Sequence, residues 1–186
     1  MRLIPLFYGL PMTCIHDYHQ LLNSLDAEIT RIAKLHANAL SCGPGCASCC
    51  VTFSVLAIEA ACVREAVGAL DTASQEQLGR NLAEDDDRCP LLIDDLCAIY
   101  AARPVICRTQ GLPLAYVDEE REAIEVSACA LNFPEDHGFA PEDLLFMDQF
   151  NTRLAELNRA WCSKRNLDPT KRIPLRELAC PTPLGA

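Results

Sequence analysis

The sequence contains no long apolar run and has little positive charge. No stretch approaches the roughly 20 consecutive apolar residues that a membrane-spanning helix needs, so we expect no transmembrane segment. Sixteen Lys and Arg residues stand against 26 Asp and Glu residues, which gives a formal net charge of −10. Broad binding of nucleic acid or anionic lipid needs clustered positive charge. We therefore expect no nucleic-acid and no membrane partner, whereas a protein partner, of unknown identity, stays open.

Common catalytic motifs are also missing. We find no Gly-rich nucleotide loop after a strand, no Ser–His–Asp order and no separated pair of catalytic carboxylates. The acidic run at residues 84–87 is predicted to be a solvated linker. Half of the 186 residues are apolar, which is enough to form the core of a single domain over residues 1–186. Whether this domain is an enzyme is left open by the sequence.

Cysteine, in contrast, is abundant, with twelve residues in the chain. Disulfides and metal binding are the two general explanations for such a count. The N-terminal residues 1–10 have a charge and a short apolar run, as a secretion signal does. However, Pro5 interrupts the run and no small-x-small cleavage site follows it. We therefore expect a cytoplasmic protein with reduced thiols, which favours metal binding.

Four of the cysteines lie in residues 42–50, with the sequence CGPGCASCC. Thiolates bind zinc and iron–sulfur centres well, and Gly-Pro-Gly supplies a tight turn that returns Cys42 towards Cys46. Adjacent side chains in extended backbone point to opposite sides, so Cys49 and Cys50 fit one tetrahedron poorly. The pair serves different metals, bridges two ions in a shared cluster, or includes one free reactive thiolate.

A second cysteine group follows in residues 88–129. Two apolar runs flank Asp94-Asp95, which predicts a tight hairpin that places Cys89 near Cys97. Pro104 suits the first position of a short helix, with Cys107 one turn in. A second strand pair, over residues 112–116 and 124–128, ends at Cys129. The candidate metal ligands are therefore Cys42, Cys46, Cys49, Cys50, Cys89, Cys97, Cys107 and Cys129.

Eight thiolates suffice for two tetrahedral sites, or for one four-cysteine iron–sulfur cluster with thiols to spare. Two zinc ions with eight thiolates would carry a charge of about −4, which needs nearby donors and cations. Arg103 and Arg108 flank Cys107 and are the candidates for that second-shell role. The other four cysteines have no partner at short spacing and are predicted to be packing or incidental thiols: Cys14, Cys62, Cys162 and Cys180.

Helical periodicity flanks the cysteine-rich core, which spans about residues 42–129. Apolar residues at three- and four-residue steps predict an N-terminal helix over residues 17–40 and a C-terminal helix over residues 141–165. His36 lies on the first stripe and is predicted to be a histidine at the core edge, the alternative being a ligand. We expect an α+β fold, mostly α, with helices packed around a small β element and a cysteine-rich metal site.

Together these motifs resemble the YkgJ-like cysteine-cluster family. The resemblance rests on CGPGCASCC, on CPLL from Cys89, on CAIY from Cys97 and on RPVICR at residues 103–108. The family signature is C-x-x-C-x-x-C-C, whereas this chain has three residues between Cys42 and Cys46. The resemblance implies a zinc- or iron-chelating domain. The family also includes a flagellin N-methylase branch, in which S-adenosylmethionine supplies a methyl group to a lysine.

Three functions follow from these observations. The first is a cytoplasmic cysteine-cluster protein that binds zinc or iron, with an iron–sulfur cluster as one form, through about eight thiolates. The second is an enzyme: an iron–sulfur oxidoreductase or a protein-lysine N-methyltransferase of the flagellin N-methylase type. The third is a zinc-stabilised interaction module without catalysis. The three differ in what the metal does.

Overall fold

The computed structural model of the chain describes residues 12–83 and 87–180. Our predictions for residues 1–10, for the Cys14 thiol and for the acidic residues 84–86 lie outside the described residues and side chains. The fold is mostly helical with small sheets, as the α+β prediction states. The described α-helices are α1 (Met12–Leu35), α2 (Ala57–Gly68), α3 (Thr72–Ala83), α4 (Val105–Thr109) and α5 (Asp148–Ser163).

Within the described residues, seven short strands form three small sheets. β1 (Ser54–Val55) pairs with β7 (Ile173–Pro174), and β2 (Leu92–Ile93) pairs with β3 (Leu96–Cys97), both antiparallel. In the third sheet, β4 (Leu114–Asp118) lies between β5 (Ala123–Ser127), which is antiparallel to it, and β6 (Leu145–Phe146), which is parallel.

The apolar stripes predicted from the sequence form the core. α1 and α2 both pack against α5, and these helices bury Leu25, Ile32, Phe150 and Trp161 among others. A second cluster lies between α2, α3 and the C-terminal segment, with Val63, Leu78 and Leu178 fully buried. Cys89, Cys97 and Cys107 pack against this second cluster, so part of the cysteine-rich region is supported by the apolar core.

The two flanking helices have other bounds than predicted. α1 begins at Met12 and ends at Leu35, followed by a turn in which the Ala39 and Leu40 N–H groups donate to the His36 carbonyl. The predicted C-terminal helix over residues 141–165 is shorter and begins at Asp148. Residues 141–143 form a 3₁₀ turn instead, and β6 follows because residues 145–146 pair with β4, a tertiary contact that no helical periodicity reveals.

Candidate metal centre

A backbone bridge brings the cysteine loop beside Cys89. Val51 forms an antiparallel bridge with Arg88. The Cys89 N–H donates to the Cys50 carbonyl at 2.9 Å, and the Thr52 N–H donates to the Asp87 carbonyl at 3.0 Å. Backbone pairing thus joins two cysteines that are 39 positions apart in sequence.

The β2–β3 hairpin adds Cys97, as the sequence predicted. Asp94 and Asp95 both adopt positive φ, at 51° and 61°, which is the backbone of a two-residue type I′ turn. The resulting register places Cys97 opposite Leu92. The Asn81 side chain in α3 donates to the Leu92 carbonyl at 2.6 Å and to the Pro90 carbonyl at 3.1 Å, which ties the hairpin to the helix.

Cys107 lies in α4, a five-residue helix that begins at Val105, one position after the predicted start at Pro104. Because such a short helix is weak by itself, its position depends on tertiary contacts. Glu59, which is only 3% exposed, supplies one of them. Its carboxylate accepts the Val105 N–H at 3.1 Å and the Leu56 N–H at 3.0 Å, and so links the N-terminal ends of α4 and α2.

Four thiols, which we call the inner thiol group, influence one another electrostatically: Cys50, Cys89, Cys97 and Cys107. Burial, then the charges of Cys89, Cys97 and Cys50, raise the pKa of Cys107 to about 12. The pKa of Cys89 is raised to about 11, mainly by burial and also by Cys97 and Cys50. Burial followed by the charge of Cys97 raises the pKa of Cys50. Mutual repulsion among thiolates is what a shared cation would relieve.

We call the remaining four candidates the outer thiol group: Cys42, Cys46, Cys49 and Cys129. Burial, then the thiolates of Cys50, Cys42 and Cys46, raise the pKa of Cys49 to about 11, although a backbone hydrogen bond lowers it. Cys49 and Cys129 line the same cleft. Cys42 and Cys46 are exposed, whereas every member of the inner thiol group is half-buried. The outer group is therefore the more accessible of the two.

Asn132 connects Cys42 to the segment that carries Cys129. Its side-chain amide donates to the Cys42 Sγ at 3.2 Å and to the Gly111 carbonyl at 2.7 Å, while its oxygen accepts the Ser41 N–H at 3.0 Å. The Asn132 N–H in turn donates to the Cys129 carbonyl at 2.9 Å. This network brings together chain segments that are about 90 residues apart.

The two arginines predicted to lie beside the thiols have different environments. Arg103 lowers the pKa of Cys50 and of Cys97, against the raising effect of burial, and it donates to the Cys107 carbonyl at 3.3 Å. Arg108 instead pairs with Asp26 of α1 at 2.8 Å and donates to the Arg103 carbonyl at 2.8 Å. Arg103 is thus the cation next to the inner thiol group, and Arg108 fastens the backbone that precedes α4 to α1.

The other thiols and His36 lie elsewhere. Cys162 is buried, Cys62 is half-buried and Cys180 is exposed, and all eleven cysteines with described side chains are free thiols. His36 is 8% exposed and forms a 2.9 Å hydrogen bond with the Asp143 carbonyl. Its ring packs edge-on against Phe133. The prediction of a histidine at the core edge is therefore confirmed.

The donor chemistry of the two groups fits zinc or iron, which thiolates bind well. Over residues 12–83 and 87–180, no three His, Cys, Asp or Glu side chains are yet close enough to hold a metal ion as they stand. The identity of all eight ligands stays a prediction.

A cleft of about 780 Å³ adjoins the outer thiol group. Besides Cys49 and Cys129, its lining includes Glu59 of α2, Tyr116 of β4, Leu154 of α5 and the exposed Arg172. Burial raises the pKa of Glu59, while its two backbone hydrogen bonds and the charge of Arg172 lower it. The cleft therefore combines apolar walls with one buried acid, one cation and two thiols.

Sequence reasoning missed three residues of the centre: Glu59, Gly111 and Asn132. Glu59 carries the only charge in the apolar run at residues 55–63, and that isolated charge was a usable signal. Asn132 gave no comparable signal, because its partners Ser41, Cys42 and Gly111 are distant in sequence.

In the described part of the chain, no helix is both long enough and apolar enough to cross a membrane.

Comparison with known protein families gives a match to the cysteine-rich region. Residues 41–130, nearly half of the chain, match the family model described as "CxxCxxCC: Putative zinc- or iron-chelating domain". No curated protein and no solved structure matches the chain. The matched segment begins one residue before Cys42 and ends one residue after Cys129, so it contains all eight candidate ligands and agrees with the predicted choice of zinc or iron. Over residues 41–130, the chain is therefore similar to the CxxCxxCC family, whose domain is described as zinc- or iron-chelating.

Proposed function

We propose that the protein binds two metal ions, zinc or iron, one at the inner and one at the outer thiol group. The observation that carries this proposal is that Cys50, Cys89, Cys97 and Cys107, which come from a loop, a hairpin and a helix, are near enough to raise one another's pKa. Each of these thiols has a raised pKa, so the metal-free group holds its protons at neutral pH. A divalent cation displaces those protons and removes the repulsion among the thiolates.

The two groups suit different roles. The inner thiol group is half-buried and three of its members pack on the second core cluster, which suits a metal that stabilises the fold. The outer thiol group is more exposed, which suits a metal that exchanges with a protein partner. Both roles need reduced thiols, and the cytoplasm is therefore the compartment that we propose.

One observation favours a second candidate, catalysis at the outer thiol group. Cys49 and Cys129 line the cleft of about 780 Å³, so a metal held there would be within reach of a molecule bound in the cleft. Small-molecule sites commonly have this size and mixture of apolar and polar walls. An iron–sulfur oxidoreductase or a methyltransferase would use such an arrangement, whereas a zinc-stabilised interaction module would not need the cleft.

Anaerobic purification followed by metal analysis and visible absorption tests the proposal. Colourless protein with about two zinc ions per chain supports two tetrahedral sites. Brown protein with iron and acid-labile sulfide supports an iron–sulfur cluster and favours the catalytic candidate. Protein that retains neither metal, and that binds neither zinc(II) nor iron(II) when these are added under reducing conditions, contradicts the proposal.

A further inference from the structure

We propose that Asn132 and Gly111 form a socket that fixes the Cys42 sulfur as a ligand of the outer thiol group. This inference rests on the proposed metal binding and assigns a positioning role to two residues that are not themselves metal ligands. Asn132 lies two positions beyond the segment that matches the family model. Cys42 itself is exposed and belongs to a loop with three residues, not two, before the next cysteine.

The orientation of the Asn132 amide follows from its partners. Its side-chain oxygen must face the Ser41 N–H, which is a donor, and its nitrogen must face the Gly111 carbonyl, which is an acceptor. The second amide hydrogen then points to Cys42, with 3.2 Å between the Asn132 Nδ2 and the Cys42 Sγ. Asn132 is only 7% exposed, so solvent replaces these bonds poorly.

Gly111 supplies the other side of the socket. It has a φ of +93°, which residues with a side chain rarely adopt. A Cβ atom at this position would lie 2.6 Å from the Cys42 Sγ, well inside van der Waals contact. The sulfur therefore occupies the space that a side chain at residue 111 would need, next to the Asn132 amide.

An N–H donor on a ligand sulfur has a direct consequence for the metal site. The donor offsets part of the negative charge of a four-thiolate set and holds the sulfur in one direction. Removing such an outer hydrogen bond lowers metal affinity by about 10- to 100-fold in known sites. Loss of the Asn132 donor should lower the affinity of the outer thiol group for zinc by the same order, while the affinity of the inner thiol group stays unchanged.

The test uses the full chain, freed of metal and titrated with zinc(II) against a chromophoric chelator. Asn132→Ala should lower the affinity for one of the two zinc ions by about 10- to 100-fold. Asn132→Asp should lower this affinity at least as much, because a carboxylate still accepts the Ser41 N–H but has no hydrogen to donate to the sulfur. Unchanged binding of the other ion shows that each variant still folds.

A double-mutant cycle separates this role from a purely structural one. In a Cys42→Ser background, Asn132→Ala should cause no further loss of zinc affinity, because the sulfur on which it acts is gone. Asn158→Ala is the matched control: Asn158 is 1% exposed and bonds to Ile58 and Pro169, so its loss should lower the melting temperature and leave zinc affinity unchanged.

Substitution of glycine gives a second, independent arm. Gly111→Ala should displace the Cys42 sulfur and lower the affinity for the same ion. A Cβ atom at Gly138, which lies outside the cysteine loop, meets no atom within 4 Å, so Gly138→Ala should leave that affinity unchanged. This inference alone is overturned if Asn132→Ala leaves zinc affinity unchanged. It is also overturned if Asn132→Ala lowers zinc affinity as much in the Cys42→Ser background as in the wild type. A wild-type chain that binds no zinc(II) and no iron(II) overturns the proposed function and this inference together.

Discussion

Glu59→Ala should lower the stability of the protein by about 3 kcal/mol. The Glu59 carboxylate accepts the Val105 N–H at 3.1 Å and the Leu56 N–H at 3.0 Å. A buried N–H group without a partner costs about 1–3 kcal/mol. Val105 is 3% exposed and should bear the full cost, whereas Leu56 is half-buried and water replaces part of its bond.

Thermal unfolding of the metal-loaded protein, followed by circular dichroism, measures this loss. For a chain of this size, about 1 kcal/mol corresponds to about 2–4 °C in melting temperature. We therefore expect Glu59→Ala to melt about 6–12 °C below the wild type. Glu59→Gln keeps one acceptor oxygen and should lose about half as much.

Glu65→Ala is the matched control, because Glu65 belongs to the same helix but is exposed. Its melting temperature should stay within about 2 °C of the wild type, since exposed substitutions change stability by about 0.5 kcal/mol or less. If Glu59→Ala melts as the Glu65 variant does, then α4 does not depend on Glu59 and our account of how Cys107 is positioned is wrong.

Two further predictions follow from the same centre. Cys107→Ser and Cys49→Ser should each lose one bound metal ion and melt at a lower temperature, because structural metal binding contributes folding energy. Cys62→Ser should keep the full metal content. Metal analysis of the three variants tests this prediction. Burial raises the pKa of Glu59 above 4.5, so the folded chain binds that proton more tightly than the unfolded chain does. The free energy of unfolding of the wild type, relative to Glu59→Gln, should therefore fall as pH rises through the interval from 4.5 to the raised value, and a pH-independent difference would contradict this.

Local sequence determined those parts of the centre whose causes lie within a few residues. Asp94-Asp95 between two apolar runs was sufficient to predict the hairpin, because short polar side chains tolerate the positive φ of a type I′ turn. Pro104 likewise marked the start of the helix that carries Cys107. The spacing of the cysteines predicted the candidate ligand set, and the family match covers the same residues.

Only the tertiary structure decided which distant segments lie beside the cysteine loop. The Val51–Arg88 bridge, and not the spacing of the cysteines, brings Cys50 to Cys89. The socket around Cys42 depends on Asn132, 90 positions away. Pairing of residues 145–146 with β4 likewise shortened the helix predicted from Pro141. A single sequence records the preferences of neighbouring residues, whereas these contacts join distant segments whose meeting depends on the packing of the whole chain.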